Sequence, residues 1–386
     1  MTKSVAEKWA NDGRPKRVLC LDGGGIRGIL SLGVLEEIEG LLRRRHEASI
    51  RLCDYFDVIS GTSTGAIIAA GLATGMTVDE LRQMYEKLGT EIFEPSFFRF
   101  GFFRAKYAKD KLEARLKSVL SDYATLNSDT LKTGLIVVIK RLDTGSPWPL
   151  SNFPDGPYFK KVDGARWIPN GDYPLWKVVR ASTAAPHFFE PESIIISKAR
   201  RDGEQDDLGD FVDGGVSPHN NPSLQTLMYV TLDGYRVRWD LGADKLLLVS
   251  VGTGRANPSV DSSAFAGFHA AQSLLSLMDD ANDLNETILQ WLSTSRTRRV
   301  IDRQVGDLSN DGIGGADQLS YARYNAELDG EWLKAQLDLA VEPPRLATLK
   351  AMDAPANAPL LLDIGRRVGK TFVRDEDFPS AFDLPT

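Results

Sequence analysis

The sequence predicts an α/β protein, in which a mostly parallel central sheet lies between two layers of helices. Three observations carry that expectation. Strand-length apolar runs alternate with helical stretches through the first half of the chain, as βαβ units require. One run, RVLCLD at 17–22, feeds a glycine turn that opens into an apolar-periodic helix. A second, FDVIS at 56–60, feeds GTSTG and then a helix of small residues.

Taken in order, residues 1–15 read as an N-terminal extension without the apolar core of a secretory signal. After the first glycine turn, Ile29, Leu30, Leu32, Leu35, Ile38, Leu41 and Leu42 repeat at helical spacing. That helix closes on Arg43, Arg44, Arg45 and His46, which suit the negative end of its dipole. Thr77 with Glu80 forms a capping box that starts the next helix. Residues 131–139, 193–197, 210–215 and 245–254 read as further strands. The stretches 143–157 and 200–209 read as surface connections. The α/β/α body is expected over 16–255, closed by a mainly helical segment, 256–386, packed on the same unit.

Bulk properties narrow the function. The chain has 386 residues, 42% hydrophobic and 26% charged, enough for a large core and too apolar for disorder. A net charge of −7 gives no support to general nucleic-acid binding. Cys20 and Cys53 sit in or beside apolar runs and read as buried, reduced thiols. With four histidines besides, a Cys/His zinc site is not expected. No run approaches the ~18 apolar residues of a membrane span. The expected location is cytoplasmic.

Gly61-Thr62-Ser63-Thr64-Gly65 places a GxSxG pattern between a buried strand and a helix. A sharp turn there needs glycine beside the serine, and it presents the hydroxyl at the carboxyl edge of the sheet. Ser63 is therefore the expected nucleophile, against the plainer role of a helix cap. For a base the chain offers His46, His187, His219 and His269, but also Asp213, delivered by a strand into Gly214-Gly215. A partly desolvated carboxylate held against the hydroxyl can do the work itself.

The first glycine turn, Gly23-x-Gly25-x-x-Gly28, has the spacing of a dinucleotide fingerprint. That reading wants an acid at the end of the second strand, roughly 20 residues on. Glu36, Glu37 and Glu39 instead fall within the first helix, and the second strand ends in the serine turn. Free N–H groups in such a turn suit an oxyanion as well as a phosphate. No cofactor and no metal is expected.

Together these residues resemble the patatin-like phospholipase family. The match rests on Asp22-Gly23-Gly24-Gly25-Ile26-Arg27-Gly28, on Gly61-Thr62-Ser63-Thr64-Gly65 and on Asp213-Gly214-Gly215. ASTAAPHFFEP (181–191) and SVGTG (250–254) support it. It covers roughly residues 15–255. The resemblance implies a Ser63–Asp213 dyad without histidine, with Gly24 and Gly25 amides as the oxyanion hole. Gly23, Arg27 and Gly28 would support that loop, and Gly61 and Gly65 the elbow. It further implies hydrolysis of fatty-acyl esters of glycerophospholipids through an acyl-enzyme. Two alternatives share the same serine: transfer of the acyl group to another acceptor, and an effector phospholipase switched on by a cyclic nucleotide.

Residues 91–120 interleave Phe93, Phe97, Phe98, Phe100, Phe102, Phe103 and Tyr107 with arginines and lysines. Such a segment suits either a lid packed on the protein itself or peripheral contact with a phospholipid membrane.

Overall fold

The computed structural model describes residues 3–92, 102–186, 189–199, 204–255, 266–301, 305–313 and 317–385. Among these, nine strands form one sheet: β1 (Lys16–Leu21), β2 (Val58–Thr62), β3 (Gly134–Arg141), β4 (Pro147–Ser151), β5 (Glu192–Ser197), β6 (Asp207–Asp213), β7 (Leu246–Val251), β8 (Ser293–Thr294) and β9 (Leu319–Tyr324). Their order is β5-β6-β3-β2-β1-β7-β9-β8, with β4 also paired to β3. Pairings among β3, β2, β1, β7, β9 and β8 are parallel, whereas β4, β5 and β6 pair antiparallel.

Alternate residues of the central strands enter two separate cores. Leu19, Leu21, Ile59, Val137, Leu247 and Val249 pack on one face with the helices Gly28–Arg45, Thr64–Ala73 and Ala358–Phe372. Val18, Cys20, Val58, Ile136 and Leu248 pack on the other, with Trp9 and the helix Ser223–Thr231. A sheet buried on both sides is what the continuous apolar runs demand. The α/β/α expectation is thus met. Cys20 and Cys53 are both free and buried.

Two features depart from the sequence reading. β4 occupies part of a stretch that reads as a surface connection, because Pro147 and Pro149 obscure its strand character. β9 lies within the segment expected to be mainly helical and extends the sheet in parallel beside β7. It carries Ser320 and Arg323, so it shows no apolar run. Of the aromatic and basic stretch 91–120, residues 93–101 lie outside the described residues, and 102–120 form a helix. No helix among the described residues is long and apolar enough to cross a membrane.

The registers around β3 bring the site together. Thr62, the last residue of β2, is level with Val138. One step further along β3, Ile139 pairs with Asp213, the last residue of β6. Ile139 and Lys140 also pair with Trp148 and Pro147 of β4. Since a strand has only two edges, β6 must take the edge that β2 leaves after Thr62. The two strands therefore run toward each other along one side of β3, and their ends meet.

Candidate active site

Ser63 stands at that meeting point. Its backbone has φ 56° and ψ −127°, a conformation that costs a non-glycine residue about 1–3 kcal/mol. The surroundings hold it there. A Cβ added to Gly65 would fall 2.2 Å from the carbonyl oxygen of Leu21, so the elbow can lie against β1 only with glycine at that position. The Ser63 amide donates to Ser182 Oγ at 2.9 Å, and Ser182 Oγ donates in turn to the Val138 carbonyl at 2.7 Å.

Ser63 precedes the helix Thr64–Ala73, yet its side chain makes no capping hydrogen bond. Instead its Oγ donates to Asp213 Oδ2 at 2.5 Å. The other carboxylate oxygen, Oδ1, accepts from the Gly215 amide at 2.7 Å. Asp213 is only 4% exposed. Burial pushes its carboxyl up to about 6, against the opposing pull of the Ser63 hydroxyl, the Gly215 amide and the Arg180 guanidinium. A carboxylate so placed remains ionised near neutral pH while binding a proton more avidly than an exposed aspartate.

The first glycine turn lies beside the elbow because Leu21 of β1 is level with Gly61 of β2. A Cβ on Gly23 would fall 2.9 Å from Ser63 Cβ, which measures how closely the two turns approach. Within the turn the Gly23 amide donates to Asn220, the Ile26 amide to Met352 and the Arg27 amide to Gly24. The amides of Gly24 and Gly25 have no partner among the described residues. Gly25 has φ 59°, which suits it to glycine. Two free N–H groups next to a hydroxyl–carboxylate pair are what stabilisation of an acyl-transfer oxyanion requires.

Several bracing residues are invisible to pattern reading. Thr253 Oγ1 donates to the Gly23 carbonyl at 2.9 Å, and Tyr85 donates its hydroxyl to the Gly25 carbonyl. Arg323 of β9 grips both oxygens of Asp22, at 2.9 and 2.6 Å, and reaches Glu286 at 2.9 Å. Arg27 is buried, which draws its pKa down, while Asp279 and Asp22 act on it electrostatically. Arg323, Glu286, Met352 and Asp279 all belong to the segment beyond 255.

Neither His46 nor His219 hydrogen-bonds to Ser63 or Asp213 among the described residues. His219 offers its backbone carbonyl to Thr62 Oγ1 at 2.7 Å, and burial lowers the pKa of its imidazole. His46, which caps the end of the helix Gly28–Arg45, lies 3.6 Å from Asp383. His187 lies outside the described residues, as does any description of the His269 side chain.

The Patatin family profile, described as patatin-like phospholipase, matches residues 19–227. The chain is 30% identical over 242 residues to a "cGAMP-activated phospholipase" of Escherichia coli (strain TW11681), covering 61% of this chain and 62% of that protein. A protein of the same description from Vibrio cholerae is 30% identical over 263 residues, covering 65% of this chain and 68% of the relative. Patatin-17 of Solanum cardiophyllum is 29% identical over 265 residues, 65% of this chain and 64% of that one. About a third of each relative therefore lies outside the alignment.

Two stability measurements test the electrostatics. Arg323→Met leaves Asp22 buried without its partner, whereas Glu286 keeps Arg299, and should cost ~3–5 kcal/mol in urea unfolding. Adding Asp22→Asn should recover part of that loss. Asp213→Asn should act in the opposite direction. Because folding raises the carboxyl's pKa, the ionised form is penalised in the native state at every pH above about 6. The variant should be more stable than the wild type at pH 8 by ~1–3 kcal/mol, with the advantage fading as pH falls through that value.

Proposed function

The chain belongs to the patatin-like phospholipase family, and on that premise we propose that it is a lipid acyl hydrolase of the phospholipase A type. The observation that carries the reading is the 2.5 Å hydrogen bond from Ser63 Oγ to a buried Asp213. In the proposed cycle Ser63 Oγ attacks the ester carbonyl carbon of a glycerophospholipid while Asp213 takes the hydroxyl proton. The amides of Gly24 and Gly25 hold the oxyanion, which collapses as the proton passes to the leaving alkoxide. Water then attacks the acyl-serine, with Asp213 as base again, and a fatty acid departs. The strained elbow contributes by holding the hydroxyl ready, so little reorganisation precedes attack.

A second reading concerns control of that activity. Two relatives are described as cGAMP-activated, which supports a cyclic dinucleotide as activator of this chain. Adding cGAMP to the purified protein with phospholipid vesicles should raise fatty-acid release; release that is the same with and without it removes the reading.

The catalytic assignment has its own tests. Ser63→Ala and Asp213→Ala should each lower hydrolysis of a short-chain ester by at least about 10³-fold while the fold persists. His219→Ala should leave most of it. The wild-type kcat/KM should fall below about pH 6, where Asp213 takes up a proton and can no longer serve as base. Mass spectrometry of products from a mixed lipid extract would identify the substrate and the bond cleaved.

A further inference from the structure

Resting on that reading of Ser63 and Asp213, a third side chain stands out. Arg180 is 0% exposed, and none of Nε, Nη1 and Nη2 has a hydrogen-bond partner among the described residues. A guanidinium carries five donors and keeps its charge when buried, so leaving all of them unmet is costly. The only ring contact it makes among the described residues is with Phe189, whose centroid lies 4.7 Å from Cζ.

Its place in the chain explains what it faces. Arg180 lies in the last turn of the helix Leu175–Ser182, and the segment that follows touches both halves of the site. Ser182 Oγ receives the Ser63 amide, and the Ala184 carbonyl receives the Asp213 amide at 3.1 Å. Five consecutive residues, 180–184, thus fix the backbone at both the nucleophile and the base.

We propose that Arg180 is a positioning residue: its buried, unpaired guanidinium is the counter-charge to Asp213, carried on the same short segment, 180–184, that holds the Ser63 and Asp213 main chains in register. The charge acts through space, since the Asp213 oxygens already accept from Ser63 and Gly215. It is the one charged group acting on Asp213 among the described residues. Other carboxylates share it: Glu192 on β5, Glu113 on the helix Phe102–Leu120, and Glu190 just before β5 all act on Arg180 together with Asp213. Lys177, on the same helix as Arg180, sits 3.8 Å from Glu192 and shares that acid. On β3, the Lys140 ammonium is turned to the Val216 carbonyl at 3.3 Å.

The experiment is the pH profile of kcat/KM on a soluble short-chain ester, for the full chain and its variants. Arg180→Met fills the space without a new unmet polar group, and Arg180→Lys keeps the charge. Arg180→Gln gives a second neutral variant should the methionine fail to fold, with thermal melting as the check. The neutral variants should move the acid limb upward by about one pH unit, the lower end of the effect of a nearby opposite charge. Arg180→Lys should return it toward the wild-type position. A limb that stays put in a folded neutral variant, or that moves as far in Arg180→Lys, overturns the assignment. The underlying reading fails separately: it falls if Ser63→Ala or Asp213→Asn keeps its hydrolytic activity, whatever the Arg180 variants do.

Discussion

Two strands meeting end to end along one edge of β3 make this site. β2 arrives parallel to β3 and stops at Thr62, while β6 arrives antiparallel and stops at Asp213. Because the registers differ by a single residue of β3, the hydroxyl after one strand end and the carboxylate at the other come within hydrogen-bond reach. The antiparallel entry of β6 is essential. A parallel strand would bring its carboxyl end to the same sheet edge only on a further neighbouring position, roughly two strand spacings, or about 10 Å, from β2.

The arrangement is energetically opposed to itself. An aspartate is buried, a serine is held at positive φ, and two amides have no partner among the described residues. Each of these lowers stability, and each is what acyl chemistry needs. The surrounding structure over-determines them: the elbow packs against β1, the Ser182 hydroxyl links the Ser63 amide to β3, and the 180–184 segment ties both ends together. Stability lost at the site is offset in the two cores that the sheet divides.

The C-terminal third is more than a cover. β9 lengthens the sheet, and its Arg323 reaches back across β7 to Asp22 at the mouth of the glycine turn. Met352 supplies a carbonyl to Ile26 in that turn. The charge network runs on from Arg323 through Glu286 to Arg299, so the helix Ala266–Trp291 is joined to the same turn. A segment with no recognisable motif thereby shapes the glycine turn that lies against Ser63.

The fold class and the two glycine turns were legible from sequence because they are local. A buried parallel strand must be apolar on both faces, and a tight strand-to-helix turn must contain glycine, whatever surrounds it. Ser63 and Asp213 were legible as separate candidates for the same reason. Their meeting was not legible from the residues themselves and came only as an implication of the family resemblance, because it depends on the register of β3 with two other strands, to which no single segment commits. Nor were Arg180, Ser182 and Arg323 readable, since a buried charge or hydroxyl looks in sequence like an exposed one. Only the tertiary structure decides which polar side chains leave water, and for those residues the loss of solvent is what gives their charges and hydrogen bonds force.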